Sequence, residues 1–278
     1  MTILDTIAEY ARERVKAAKE KVPIEEIKEQ AFEVAKADEA LFAASRASGK
    51  SAQREQFAFE KALAHKGMSF ICECKKASPS KGLIAEDYPY ESIARAYEAA
   101  GADCISVLTE PKWFKGSLEH LRKITDSVNI PCIRKDFTVD EYMIYEAKVC
   151  GASAVLLICS ILPKEVVKSY IAICDTLGLS ALVETHDENE VADAIWAGAR
   201  IIGVNNRNLR DFTVDTGNSR RLRELVPEGT IFVSESGVKT AEDVKGLRDM
   251  GADAVLVGET LMRAEDKSAK LAELKSML

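Results

Sequence analysis

The sequence predicts an α/β fold in which eight strand–helix units close into a (β/α)8 barrel, preceded by a helical extension over residues 1–67. Two observations carry this expectation. Four segments open alike, at Gly101-Ala102-Asp103, Gly151-Ala152-Ser153, Gly198-Ala199-Arg200 and Gly251-Ala252-Asp253, roughly fifty residues apart. Each leads into an apolar, β-branched run: CISVLT, AVLLICS, IIGVNN and AVLVGE. Four further runs of the same character lie between them: FICECK (70–75), IPCIRK (130–135), LSALVE (179–184) and TIFVSE (230–235). Eight strand candidates about 24 residues apart leave room for one helix and two loops in each unit.

The stretches between the strands read as helices. Glu91 to Ala100, Asp140 to Cys150, Lys164 to Leu177, Glu188 to Ala197 and Ala241 to Met250 carry apolar residues at three- and four-residue spacing. Gly101, Gly151, Gly178, Gly198 and Gly251 follow helical stretches, where a left-handed C-terminal cap favours glycine. Strict alternation of strand and helix means a parallel sheet, and closing it into a TIM barrel over residues 68–278 removes both edges. An open, doubly wound sheet is the alternative, and the regularity of the repeats argues against it.

Residues 1–67 fall outside the repeat. Ile3, Leu4, Ile7, Ala8, Ala11 and Val15 form a helical stripe, Pro23 marks a break, and a second helical stretch runs from Ile24 to Phe42. A third short helix is expected over Phe57 to Ala64. These helices either plug one barrel mouth as part of a single domain or also roof the substrate site, and the sequence does not separate the two readings.

The 278 residues are 47% hydrophobic and 30% charged, enough to bury a sizeable core and stay in solution. The longest unbroken apolar run, Ala154 to Cys159, is far too short to span a bilayer, and residues 1–20 lack the apolar stretch of a signal peptide. A formal charge of −7 argues against a nucleic-acid or membrane-surface partner. An anionic small molecule would have to be drawn in by a local cluster of Lys and Arg. A monomer is the default expectation, since nothing in the sequence specifies an oligomer. The seven cysteines, at 72, 74, 104, 132, 150, 159 and 174, form no CxxC pair. All but Cys150 and Cys174 sit in apolar strand-like runs, the usage of a reducing compartment, and the expected location is the cytoplasm. His65, His120 and His186 lack ligand-like spacing, so no metal and no cofactor is expected.

In such a barrel the chemistry belongs at the C-terminal strand ends. Those ends should carry polar groups inside apolar strands, and they do. Strand 1 carries Glu73 and Lys75, two apart and so on one face. Strand 3 ends in Arg134-Lys135-Asp136, strand 5 in Glu184, strand 6 in Asn205-Asn206-Arg207 and strand 7 in Ser234-Glu235-Ser236-Gly237. A surface ion pair explains any one of these. It does not explain Glu73, Lys75, Lys135, Glu184, Asn205 and Glu235 together, spread over five strands. With Glu73 and Lys75 inward, Cys72 and Cys74 face the helices as ordinary packing.

Ser236-Gly237 and Gly258-Glu259 place small residues where the chain leaves strands 7 and 8. The loops after those strands commonly bind phosphate through backbone N–H groups, and glycine permits the close approach. The loop after strand 1, Ala77-Ser78-Pro79-Ser80-Lys81-Gly82, reads as a mobile active-site loop with hydroxyls and positive charge, Ser78 and Pro79 among its contacts. Trp113 and Phe114 follow strand 2 and Phe137 follows strand 3, where aromatics line a pocket for a planar ligand or simply pack.

The strand-end segments ECKKASPSKG (73–82), SVLTEPKWFKGS (106–117), RKDF (134–137), LVETH (182–186), GVNNRNL (203–209), VSESG (233–237) and LVGETLM (256–262) closely resemble indole-3-glycerol phosphate synthase, in order and one motif per strand. The resemblance implies ring closure of 1-(2-carboxyphenylamino)-1-deoxyribulose 5-phosphate to indole-3-glycerol phosphate, with release of CO₂ and water, in tryptophan biosynthesis. It implies Lys135 as the general acid of closure, Glu184 as the second acid–base residue, and Lys75 and Glu73 as groups that assist it. Asn205, Arg207 and Glu235 match polar substrate-binding positions. Ser236, Gly237, Gly258 and the backbone of Glu259 match a phosphate clamp, with Lys75 near it. Phe114, Phe137, Leu156 and Leu209, with Pro79, match an apolar sleeve around the aromatic ring. Asn208 stands where the family often has Asp, and Thr185 where it often has an aliphatic residue; neither carries a role in the chemistry. Three rival readings remain on the same barrel: an isomerase resembling phosphoribosylanthranilate isomerase, a Schiff-base aldolase using Lys135 or Lys75, and a non-catalytic binder of a phosphorylated metabolite.

Overall fold

The structure, a computed structural model, describes residues 2–47, 55–208 and 211–278, with side chains omitted for 44–47. Three helices come first: α1 (Ile3–Lys21), α2 (Ile24–Ala47) and α3 (Ala58–Leu63). Eight parallel strands then alternate with helices. They are β1 (Ser69–Cys74), β2 (Cys104–Leu108), β3 (Cys132–Lys135), β4 (Ala154–Ile158), β5 (Ser180–Thr185), β6 (Ile201–Asn205), β7 (Ile231–Glu235) and β8 (Ala254–Val257). Each strand pairs with its sequence neighbours, and β1 closes the ring on β8 with Ser69 opposite Ala254. The outer helices are α4 (Tyr90–Ala99), α5 (Leu118–Ser127), α6 (Tyr142–Val149), α7 (Lys164–Thr176), α8 (Glu188–Ala197), α9 (Gly217–Arg223), α10 (Ala241–Asp249), α11 (Glu259–Arg263) and α12 (Lys267–Lys275).

Strand alternation divides the core in two. Ile71, Cys104, Ile133, Ala154, Leu182, Ile201, Val233 and Ala254 fill the barrel interior. Their neighbours in sequence, Phe70, Cys72, Ile105, Cys132, Val155, Val183, Ile202, Phe232 and Val255, pack outward on the helices. Cys72 and Cys74 belong to the outer layer, as the parity of β1 requires. That parity carries on to the strand ends. Glu73 is in step with Ile71, Lys135 with Ile133, Glu184 with Leu182 and Glu235 with Val233, so each points into the mouth.

The five cap glycines all have positive φ, from 67° at Gly178 to 90° at Gly251. The sequence reading leaves α5, α9, α11 and α12 unassigned: α9, α11 and α12 bury only two residues each, while α5 buries Leu121, Ile124 and Thr125, as many as the assigned helix α4. The strand-like run AVLLICS stops at Ile158, and Cys159 opens a 3-10 turn instead of extending β4.

The N-terminal helices divide the two expected roles between them. Phe59 and Leu63 of α3 are fully buried in the interior cluster and stopper the N-terminal mouth. There the backbone N–H of Glu60 donates to Ser180 Oγ at the start of β5 (3.2 Å). Helix α1 lies at the opposite end, where Arg14 and Lys19 pair with Asp136 and Asp140 just beyond β3 (2.7 and 2.8 Å). Between them α2 runs along α6, joined by the buried Lys148–Asp38 pair at 2.8 Å.

Removing the stopper should cost stability and spare the chemistry. Phe59→Ala is expected to lose about 3–5 kcal/mol in urea unfolding, the range for truncating a buried aromatic, with turnover at 25 °C nearly unchanged.

Candidate active site

A cavity of about 850 Å³ occupies the C-terminal mouth of the barrel. Every residue to which the family resemblance gives a site role lines it, except Leu209, which lies outside the described residues. Residues from at least seven strands or their following loops converge there, which strand parity and closure of the sheet bring about together.

The floor is a group of charges. Lys135 Nζ lies 3.1 Å from Glu184 Oε2 and 3.3 Å from Glu235 Oε2. Glu184 Oε1 accepts from Asn205 Nδ2 at 3.2 Å. On β1, Glu73 Oε1 is 2.5 Å from Lys75 Nζ. Glu73, Glu184 and Glu235 are each at most 4% exposed. Burial alone would lower the pKa of Lys135, yet Glu184, Glu235 and Glu73 together raise it well above that of a free lysine. Burial works against ionised Glu184 too, but Lys135 and then His186 hold its carboxyl far below the usual carboxylate range. Glu235 goes the other way. Burial, reinforced by the charge of Glu184, pushes it up to about 7 despite Lys135. One ammonium between two carboxylates therefore leaves one ionised and the other able to hold a proton near neutrality. Glu235 lines the cavity, while its Oε1 is buried beside Gly203 without a hydrogen-bond partner.

Glycines make room for these groups. A Cβ at Gly203 would collide with Glu235 Oε1, and one at Gly258 with Glu73 Oε1 and Lys75 Nζ. After β7, Ser236 and Gly237 take positive φ in succession, 68° and 99°. That conformation is strained for serine and natural for glycine. Ser236 Oγ donates to Asn205 Oδ1 at 3.0 Å, which ties this turn to β6. Beneath it, Asn206 bridges Ser219, Ser234 and the Ser236 carbonyl through buried hydrogen bonds of 2.8 to 3.1 Å. Gly237, Gly258 and Glu259 line one end of the cavity, with Lys75, Lys81, Lys239 and Arg263 around them. Lys239 and Arg263 escaped the sequence reading because they stand beyond the turns that mark the strand ends.

The other end is apolar. Phe114 and Phe137 face each other with ring centroids 6.2 Å apart, and Leu108, Leu156 and Ile158 continue the wall. Phe114 is held by Glu110, whose carboxylate accepts from the N–H groups of Lys112, Trp113 and Phe114 at 2.7 to 3.0 Å. Trp113 is turned away from the cavity and packs edge-on against Tyr10 of α1 at 5.5 Å. Helix α1 adds Ile3, Leu4 and Ile7 to the wall, a contribution that a helical stripe alone does not reveal.

The loop after β1 is more regular than its composition suggests. Ala77–Ser78 and Gly82–Leu83 form a small antiparallel ladder, and Ala77 N–H donates to the Phe114 carbonyl at 3.2 Å. Ser78 and Pro79 face the cavity from it. Arg207 also lines the cavity, its Nη1 donating to the Phe212 carbonyl at 3.4 Å.

Asp136, adjacent to Lys135 in sequence, also lines the cavity but pairs with a different set of groups. It accepts from Arg14 Nη1 and Nη2 (3.1 and 2.7 Å), Thr109 Oγ1 (2.6 Å) and the Phe137 N–H (2.8 Å). Burial would raise its pKa, but Arg14 and Arg134 hold it below the usual carboxylate range. Arg134, 1% exposed and facing outward, spans from Asp136 to Glu146 (3.5 and 2.8 Å). This buried network fixes the strand end from which Lys135 projects. Among the described residues, no three His, Cys, Asp or Glu side chains are grouped to hold a metal ion.

The sequence matches the family model for indole-3-glycerol phosphate synthase over residues 4–274. It is 54% identical over 273 residues to the indole-3-glycerol phosphate synthase of Ruminiclostridium cellulolyticum, covering 98% of each chain. It is 48% identical to that of Lachnoclostridium phytofermentans, covering 99% of this chain and 100% of that one. Among solved structures, a 3-hexulose-6-phosphate synthase aligns with a TM-score of 0.60 at 15% identity, over 76% of this chain and 100% of that one. A thiamine phosphate pyrophosphorylase from Pyrococcus furiosus aligns at 0.57 and 18%, over 76% and 94%. At such identities these two speak for the barrel fold alone.

Glu235 should leave a signature in stability. A carboxyl whose pKa is raised from 4.5 to about 7 keeps in the folded state a proton that the unfolded chain releases. The folded state is therefore penalised as pH climbs from about 4.5 to about 7, by at most about 1.4 kcal/mol per unit. Glu235→Gln is expected to escape that penalty, so its stability relative to the parent should rise across this interval in denaturant titrations.

Proposed function

The chain belongs to the indole-3-glycerol phosphate synthase family, matched over residues 4–274, and from that membership we propose how its residues divide the reaction. The enzyme is a carboxy-lyase of tryptophan biosynthesis, closing 1-(2-carboxyphenylamino)-1-deoxyribulose 5-phosphate to indole-3-glycerol phosphate with loss of CO₂ and water. The observation that carries the assignment is the Lys135 ammonium set between Glu184 and Glu235 on the cavity floor, with aromatic side chains at one end and glycine turns at the other.

Ring closure joins a weakly nucleophilic aromatic carbon to a ketone, so the ketone oxygen must be protonated as the bond forms. Lys135, held charged by its carboxylates, is the donor. Loss of CO₂ then restores the aromatic ring. The new hydroxyl leaves as water while a proton comes off the adjoining position. Glu184, kept ionised, is the base for that proton, and Lys75 with Glu73 supplies the second acid–base pair. Asn205, Arg207 and Glu235 offer hydrogen bonds to the sugar chain. Ser78 and Pro79 close over it. Ser236, Gly237, Gly258 and the backbone of Glu259 receive the phosphate, where backbone N–H groups and surrounding Lys and Arg side chains suit a dianion. The aryl ring lies among Phe114, Phe137 and Leu156, with Leu209 as a further contact.

Two rivals fare worse on specific grounds. A Schiff base at Lys135 needs a neutral amine, and the carboxylates around that residue favour its charged form. An isomerase working through a Cys/Asp pair needs a thiol at the mouth, and no described cysteine lines the cavity. The reduced, largely buried cysteines support a cytoplasmic location. No described helix is long and apolar enough to cross a membrane. The proposed site draws on one chain, which suits a monomer.

Lys135→Ala should lower turnover by about two to four orders of magnitude, followed by the fluorescence of the indole product. Near-normal turnover would remove Lys135 from its role. Gly237→Asp places a carboxylate and a Cβ into the turn beside Thr216 and Val214. Its KM should rise at least about tenfold, and an unchanged KM would remove that turn from phosphate binding.

A further inference from the structure

His186 stands two residues beyond Glu184, at the point where β5 gives way to α8, and no step above uses it. Its ring is held on two sides by carboxylates. Nδ1 lies 2.9 Å from Glu190 Oε2 and 3.0 Å from Ser160 Oγ, and Ser160 Oγ in turn donates to Glu190 Oε1 at 2.7 Å. Glu190 Oε2 also accepts from the His186 backbone N–H at 2.8 Å. Across the ring, Nε2 is buried, 3.4 Å from Glu184 Oε1, and forms no aligned hydrogen bond. An acceptor faces each nitrogen, which is the arrangement for an imidazolium with two N–H groups. Glu184 Oε1 thus meets Asn205 and His186 while Oε2 meets Lys135.

We propose that His186 is a positioning residue for the reaction: anchored by Glu190 and Ser160, its imidazolium fixes the Glu184 carboxylate opposite Lys135 and holds it ionised. The proposal rests on Glu184 being the base. The surrounding charges agree with it. Burial opposes the cation, but Glu184 and Glu190 raise the pKa of His186 to about 10, so the ring stays charged through neutrality. Other charged groups share the cleft beside His186: Asp5 of α1, Asp187 ahead of α8, Arg207 and Asp215 from the loop after β6, and Arg221 of α9. That cleft, of about 810 Å³, adjoins the reaction cavity through Asn205 and Arg207 and reaches solvent.

The sign of the effect follows from linkage. Removing a cation beside Glu184 raises the pH below which the base is protonated, so the acid limb of the kcat profile should move upward. In His186→Ala the acid limb of the kcat profile is expected to move up by about 1–3 pH units, with kcat at pH 9 and KM staying within about threefold of the parent. Free imidazole, small enough for the cleft, should restore part of the loss on that limb. Glu190→Gln, which keeps the ring and removes its anchor, should shift the limb in the same direction and carries the test should His186→Ala fail to fold. A uniform loss at every pH with no imidazole rescue would show a merely structural residue and overturn the proposal. Glu184→Gln separates the two claims. If it is inactive while His186→Ala keeps the parent profile, the positioning role alone fails; if it retains turnover, the base assignment fails and the proposal with it.

Discussion

One ammonium shared by two buried carboxylates is the constraint on which the rest of the site depends. Lys135 touches both Glu184 and Glu235, which leaves the local charge one unit short of neutrality unless one acid keeps its proton. The barrel relieves the imbalance asymmetrically. Glu184 has Asn205 and His186 as further partners, while Glu235 Oε1 has none. Two side chains of the same type thereby acquire opposite protonation preferences within one cavity. An apolar substitution at any of the three would be easier to pack, and no such mouth could move protons in both directions.

That cluster is held by structure that never touches a reacting atom. Arg134 and Asp136, out of phase with Lys135 along β3, bind the strand end to α1, the β2 loop and α6. Asn206, out of phase with Asn205, joins the ends of β6 and β7 through Ser219 and Ser234. The alternation of a strand places a reacting group and its support at adjacent positions. Gly203 and Gly258 complete the support by absence, since a methyl group at either would displace the carboxylate of Glu235 or Glu73 from its place.

Most of this was legible in the sequence, for definable reasons. The repeating Gly-Ala dipeptides and apolar runs announce the barrel because every strand–helix unit solves the same burial problem. Polar residues ending apolar strands announce the site because nothing in packing calls for them. Less legible were the elements whose support is tertiary. Helix α9, with two buried residues, depends on hydrogen bonds to Asn206 rather than on an apolar face. The separate tasks of α1 and α3 follow from what each meets at opposite mouths, and both carry ordinary helical stripes. Trp113 and Phe114 are adjacent and chemically alike, yet the three N–H groups gathered by Glu110 send one to α1 and the other to the cavity. His186 gave no warning because its partners, Ser160 and Glu190, lie on other elements or a helical turn away.

Arg14 reaches from the roof helix to Asp136, the immediate neighbour of Lys135 in the chain. Lifting that helix would strip a fully enclosed carboxylate of its bidentate partner at the same moment that Ile3, Leu4 and Ile7 leave the cavity wall. Solvent cover and the seating of the acid are therefore forfeited in a single event. A form of the protein opened in this way would have its proposed proton donor loosened for as long as it stayed open.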